Sequence, residues 1–147
     1  TLKEEIENLK NYVLINQIRY GNQVNVDFYV TPDCEEQKVP KLILQPFVEN
    51  AFFHAFPQGE KGTIFIFVRQ SDGLLRVEIE DNGIGMSSET LRDLLNKKNA
   101  SREHFTGIGV NNVDDRMKLI YGENYGILIE SQEGRGTKIT VCFPLNK

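Results

Sequence analysis

Hydrophobic residues along the chain switch between two periods. From Thr1 to about Arg19, Leu2, Ile6, Leu9 and Val13 recur at the three-to-four-residue spacing of one helical stripe. That stripe either packs on this domain or continues a helix from a segment further upstream. Gly21-Asn22 is a stop signal. Val24, Val26, Phe28 and Val30 then alternate with Asn25, Asp27 and Tyr29, the pattern of a half-buried strand. Thr31 to Lys38 is a polar loop. Pro40 suits the first turn of a helix, which is predicted to run to about Ala55 with Leu44, Phe47, Val48, Ala51, Phe52 and Ala55 facing the core. Pro57-Gln58-Gly59 and Lys61-Gly62 break the chain again.

Thr63 to Val68 is almost continuously apolar, which predicts a strand buried on both faces. Ser71-Asp72-Gly73 reads as a hairpin turn, and the next strand puts Leu75, Val77 and Ile79 on one face and Arg76, Glu78 and Glu80 on the other. Asp81 to Met86 is rich in glycine. Ser87 to Lys98 has the pattern of a short helix capped by a serine, followed by a polar loop from Asn99 to Thr106. Gly107-Ile108-Gly109 opens a further helix with Val110, Val113, Met117 and Ile120 on one face. Two last strands, Tyr125 to Ser131 and Thr137 to Phe143, are joined at Glu133-Gly134-Arg135-Gly136. This order of elements predicts an α+β two-layer sandwich. Its five-stranded sheet is mixed and mostly antiparallel, with about three helices on one face.

Composition narrows the function classes. The length of 147 residues fits one domain with a single core, and the 39% apolar and 26% charged residues are those of an ordinary globular domain. A formal net charge of −4 argues against general nucleic-acid binding, which needs a basic face. No apolar run approaches the ~20 residues of a membrane span. The chain starts at Thr1 without a methionine, and we expect it to be a fragment of something longer. Cys34 and Cys142 match no metal or redox spacing and read as two reduced thiols.

The informative positions are polar groups where the pattern calls for apolar ones. Asp81 has the parity of Leu75, Val77 and Ile79 and therefore points inward. A buried carboxylate costs several kcal/mol unless it is well hydrogen-bonded. Two readings are open: a ligand amine that donates to it, or a structural aspartate capping the turn at Asn82-Gly83. Asn50 and His54 lie one helical turn apart and share a face. An amide oxygen suits Mg²⁺, which takes one or two protein ligands plus phosphates and water. Spacing alone favours the plainer alternative, the polar edge of an amphipathic helix. Gly83 and Gly85 allow close approach of the backbone to a ligand. Gly107 and Gly109 precede a helix N-terminus, which attracts anions. Many helices begin after glycine, so that signal is weak alone. Thr137 shares the inward parity of Ile139, Val141 and Phe143, as a pocket hydroxyl or as a satisfied core threonine.

In combination these segments resemble the nucleotide-binding fold shared by histidine kinases, DNA gyrase, Hsp90 and MutL. An Asn-bearing helix is followed by Asp81-Asn82-Gly83-Ile84-Gly85, then Gly107-Ile108-Gly109, then Gly134-Arg135-Gly136-Thr137. The likeness extends over about Pro40 to Leu145. A closer likeness is to the LytS and YesM sensor kinases. It rests on Gln45-Pro46-Phe47-Val48-Glu49-Asn50-Ala51 with His54, and on Gly107-Ile108-Gly109-Val110-Asn111-Asn112-Val113 with Asp115-Arg116-Met117. Asn11-Tyr12 and Ile18-Arg19-Tyr20-Gly21 resemble the stretch that follows the phosphoacceptor helices in these proteins.

The resemblance implies that the cofactors are ATP and Mg²⁺. Asn50 would coordinate the metal and His54 would lie near the phosphates. Asp81 would accept from the adenine amine, with Gly83, Gly85 and Met86 beside the base and Thr137 supporting the pocket. Gly107, Ile108, Gly109 and Val110 would form the hinge and helix start facing the phosphates, and Ser87 to Thr106 the lid. Residues 1–21 would be a helix continuing from a phosphoacceptor region, and 22–147 the ATP-binding domain. The implied activity is transfer of the γ-phosphoryl group to a histidine on a separate dimerisation helix of the same full-length protein, a homodimer, with a response regulator downstream. The implied location is cytoplasmic, with any membrane attachment through upstream segments.

The sequence departs from the family pattern where Phe53 stands for the lysine that often precedes the histidine of the Asn motif. A basic phosphate contact is then sought in Lys97, Lys98 or Arg102. The lid lacks a clear phenylalanine motif, for which Phe105 serves in part. His54 and His104 are the only histidines, and neither has a phosphoacceptor context. Glu49 is a candidate for orienting the acceptor or for a structural bond. The competing functions are an ATPase or an ATP-sensing binding module on the same fold; a serine kinase of the anti-sigma type fits the Gln45-Pro46 context poorly.

Overall fold

Helix α1 (Leu2–Tyr20) begins at a capping box in which Thr1 and Glu4 bond each other's backbone. Its stripe of Leu2, Ile6, Leu9 and Val13 is buried in the common core, so α1 packs on this domain. This computed structural model describes residues 1–21, 23–56, 61–95 and 106–145, without the side chains of Tyr20, Phe53, His54, Leu94, Leu95 and residues 106–109.

The sheet has the order β1-β2-β3-β5-β4. Strand β1 (Val24–Val30) runs parallel to β2 (Gly62–Ser71). The other neighbours, β2 with β3 (Leu74–Asp81), β3 with β5 (Gly136–Pro144), and β5 with β4 (Leu128–Gln132), are antiparallel. Asp72 and Gly73, both at positive φ (55° and 77°), turn β2 into β3 in the manner of a two-residue hairpin. Ile64, Ile66 and Val68, Leu75, Val77 and Ile79, and Ile139, Val141 and Phe143 all lie on the buried face. Against it pack α1, α2 (Gln45–Asn50) and α4 (Thr106–Tyr121), through Phe47, Val48, Val110, Val113 and Met117. The sandwich is thus the expected one.

Four local expectations need correction. Thr63–Val68 is not buried on both faces: Phe65 and Phe67 are half-exposed. Among the described residues no helix covers the outer face of the sheet. There the rings shield one another laterally, with Tyr29 stacked on Phe67 at 5.2 Å and Phe67 on Phe65 at 6.1 Å. The helix expected from Pro40 starts only at Gln45, and Pro46 is the proline of its first turn. Residues 41–44 form a turn with Leu42 at φ 55°. They are held by the buried Glu5 of α1, whose two carboxylate oxygens accept from Leu42 N at 3.1 Å and Leu44 N at 3.0 Å. Ile120 is exposed, and Tyr121, four residues after Met117, continues the buried stripe with its ring edge-on to Phe143. The last hairpin begins at Leu128, because Glu123–Tyr125 is a 3-10 turn.

Candidate functional site

The inner face of the sheet is apolar until its last row, where β3 ends at Asp81. Asp81 is 9% exposed, and its Oδ1 accepts from the backbone N–H of Gly83 at 3.0 Å and of Thr137 at 3.3 Å. The structural reading holds, since Asp81 caps the turn at Asn82-Gly83, and the residue also lines a cleft. Its other carboxylate oxygen has no hydrogen-bond partner among the described residues. Burial pushes the carboxyl above the usual carboxylate range, the two N–H donors pull it back, and Glu80 adds a small push upward.

After Asp81 the chain is clamped on three sides. Asn82 Oδ1 accepts from Thr63 N at 2.8 Å, Ile84 N donates to Ala55 O at 2.8 Å, and Met86 N donates to Ser131 Oγ at 2.8 Å. Gly83 and Gly85 were expected to let backbone approach a ligand. Their close approaches are to protein: a Cβ on Gly83 would overlap the Ala55 carbonyl, and one on Gly85 (φ 68°) the Gln132 carbonyl. Gly85 still lines the cleft.

The opposite wall is α2. It runs into a π-helical turn, Ala51–Ala55, and presents Phe47, Asn50, Ala51 and Ala55 to the cleft. Such turns are frequent at functional sites. The side chain of Asn50 is half-buried and makes no hydrogen bond with another described residue. Ile79, Ile129 and Ile139 form an apolar floor, with Met86, Val110 and Thr137 around the rim. The cleft is partly open to solvent. Flat apolar walls and one carboxylate suit a heteroaromatic ring that carries an amine. Asn50 supplies a single hard oxygen, which fits a metal whose other ligands are phosphates and water.

The structure therefore brings together Asn50, Asp81, Gly85, Met86, Val110 and Thr137, and sets Gly83 just behind them. Gly107, Ile108 and Gly109 fall in the first turn of α4, with their side chains outside the description. The His54 side chain is likewise outside it, and its backbone lies in the π turn. Ser87 does cap α3 (Ser88–Leu95), accepting from Thr90 N at 3.1 Å. The remainder of the expected lid, with Lys97, Lys98, Arg102 and Phe105, lies outside the described residues. Glu49 does not line the cleft: its Oε1 accepts from Gln45 Nε2 at 3.0 Å. Sequence reasoning missed Ser131 and Glu5. Glu5 does interrupt the Leu2–Ile6–Leu9 stripe, a signal that was present.

The family of histidine kinase-, DNA gyrase B-, and HSP90-like ATPases matches residues 35–147. The chain belongs to this family. Within it, the chain is 31% identical to the sensor protein LytS of Bacillus anthracis over 144 residues, 97% of this chain and 24% of LytS. It is 30% identical over 145 residues to the sensor histidine kinase YesM of Bacillus subtilis, covering 98% of this chain and 24% of YesM. The chain thus spans about a quarter of the length of the curated relatives it matches. The catalytic domain of the histidine kinase ThkA has the same ATPase-family fold, with a TM-score of 0.67 at 22% identity over 98% of this chain and 92% of that one. Among the described residues, no helix is long and apolar enough to cross a membrane.

Proposed function

We propose that the cleft binds Mg-ATP through its adenine and presents the γ-phosphoryl group for in-line transfer to a histidine imidazole of the full-length sensor kinase. The observation that carries this reading is Asp81. It is a buried carboxylate facing an apolar cleft, with no cation beside it among the described residues and one oxygen left to accept from an exocyclic amine. Ile79, Ile129, Ile139 and Met86 would sandwich the base, and Thr137 would support the amine. Asn50 would hold Mg²⁺, which neutralises phosphate charge when bound. The helix start of α4 would face the phosphates, with Gly107, Ile108 and Gly109 as the hinge and His54 nearby.

A neutral imidazole nitrogen is already a nucleophile, so the domain's task is positioning and neutralising charge. Hydrolysis needs a base one turn before the Asn. That position is Pro46, and Glu49 is tied to Gln45 away from the cleft. This arrangement supports transfer over hydrolysis. Residues 1–21 would lead from a dimerisation region that carries the acceptor, in a protein that passes the phosphoryl group to a response regulator. The domain would work in the cytoplasm of a membrane-anchored sensor.

Calorimetry with ATP and GTP tests the carrying observation. We expect ATP to bind and GTP to bind poorly, and Asp81→Asn to weaken ATP by roughly 1–3 kcal/mol, the worth of a charged hydrogen bond. Equal binding of ATP and GTP would remove the adenine role of Asp81. Incubation with labelled ATP should leave this chain unlabelled until an acceptor-bearing segment is supplied.

A further inference from the structure

Ser131, Thr137 and Asp81 form one row across β4, β5 and β3, with Ser131 paired to Thr137 and Thr137 to Asp81. Ser131 Oγ has three polar neighbours: Met86 N at 2.8 Å, Gly136 O at 3.0 Å and Thr137 Oγ1 at 2.8 Å. A serine hydroxyl has one proton and two lone pairs. The Met86 N–H only donates, so it occupies one lone pair. The Gly136 carbonyl only accepts, so it takes the proton. The lone pair that remains faces Thr137, and the 2.8 Å contact is a hydrogen bond only if Thr137 gives its proton to Ser131. Thr137 then has nothing but lone pairs to turn toward the cleft. Beside it, the Asp81 carboxylate is an acceptor too. That corner of the wall is made of acceptors alone.

We propose that Ser131 is a specificity-determining positioning residue. By taking the Thr137 proton it fixes Thr137 as an acceptor, so that Thr137 and Asp81 together read an amine and reject a carbonyl at the same place on the base. The proposal rests on the adenine reading of the cleft. Ser131 does not itself line the cleft and acts through Thr137. Without the serine hydroxyl, the Thr137 hydroxyl is free to rotate about its C–O bond and to donate, directly or through water, to a carbonyl. Discrimination against such a base should then relax.

The test is titration of the chain, with Mg²⁺, by ATP and by inosine triphosphate, which carries a carbonyl where adenine has its amine. The quantity read is the ratio of the two dissociation constants. Ser131→Ala should lower the preference for ATP about fivefold, the worth of one neutral hydrogen bond. Ser131→Thr, which restores a hydroxyl, should return the wild-type ratio. Ser131→Ala also unpairs Met86 N, but that weakens both nucleotides alike and cancels in the ratio. A merely structural serine would therefore leave the ratio unmoved, and that result overturns the proposal. If Ser131→Ala does not fold, Thr137→Val carries the test. Removing an acceptor-only hydroxyl narrows the preference for ATP, whereas removing a donor widens it, and widening overturns the proposal. Equal binding of the two nucleotides by the wild-type chain is a separate outcome: it overturns the adenine reading and this proposal with it.

Discussion

Strand β3 buries two carboxylates three residues apart, on opposite faces, and the protein treats them differently. Glu78, on the outer face, is 6% exposed and is met by three cations. Its Oε1 lies 3.1 Å from both Arg69 Nη1 and Arg76 Nε, and its Oε2 lies 2.8 Å from Lys138 Nζ. The Lys138 hydrogen bond holds its carboxyl below the usual range, with Arg76 helping and burial opposing. Asp81, on the inner face, has two backbone N–H donors and no cation among the described residues, and its carboxyl is pushed up. A buried charge that the chain compensates belongs to the fold. One left partly uncompensated at the lip of a cleft is stabilised further by whatever donor arrives there.

The largest effect should come from attacking the backbone that shapes the Asp81 corner. Gly85→Ala forces a side chain into a positive-φ residue and against the Gln132 carbonyl. We expect a loss of about 3 kcal/mol or more, combining left-handed strain with overpacking, seen as a lower urea midpoint and loss of ATP binding. Retention of wild-type affinity would mean that the Gly85 turn does not shape the pocket.

Next in size is the exchange of roles between the two acids. Glu78→Gln leaves Arg69, Arg76 and Lys138 facing one another. Because these cations are partly exposed, the cost should be about 1–2 kcal/mol of stability, below the range for fully buried pairs. Its nucleotide affinity should stay at the wild-type value in the same calorimetric assay. Asp81→Asn should show the reverse, with lost affinity and no loss of stability. If Glu78→Gln weakens ATP as much as Asp81→Asn does, the division between fold and site fails.

Smaller effects follow from pH. Glu78, with its folded pKa depressed, contributes stability that is present above the ordinary carboxylate pKa and lost as pH falls through the depressed value. Asp81, with its folded pKa raised, favours folding below the ordinary carboxylate pKa, and that advantage is lost as pH rises through the raised value. Chemical denaturation of the nucleotide-free chain across the acid range should therefore lose its low-pH fall partly in Glu78→Gln and its fall on the higher side in Asp81→Asn. An amine that donates to the ionised Asp81 lowers its pKa, so ATP binding releases a proton. Affinity should rise by at most about tenfold per pH unit through that window, the limit for one proton. A flat profile would show that Asp81 is already ionised throughout.

The position of Asp81 was legible because strand parity is a strict rule: three apolar partners at odd positions leave no doubt about the fourth. The Asp72-Gly73 hairpin and the Ser87 cap were legible for the same reason, since each depends on neighbours in sequence. What escaped reading depends on neighbours in space. The role of Ser131 exists only once β4 and β5 are in register and the Met86 turn lies over them. The helix start at Gln45 was hidden because Glu5, nearly forty residues earlier, binds Leu44 N, which a helix from Pro40 would give to the Pro40 carbonyl. The π turn after Asn50 has no periodic signature in the sequence. Ile120 and Tyr121 were confused because both are apolar, and one residue of helix rotation decides which faces the sheet.

The parallel pairing of β1 and β2 carries a consequence in time. A parallel neighbour cannot be reached by a tight turn, and the connection from Val30 to Gly62 passes back across the sheet through α2 and Asn50. Strand β1 finds its register, Val24 against Gly62, only when that whole stretch has been laid down, and the loop entropy is met before the contacts reward it. The segment that presents Asn50 is therefore the same one whose closure lets the edge strand find its place.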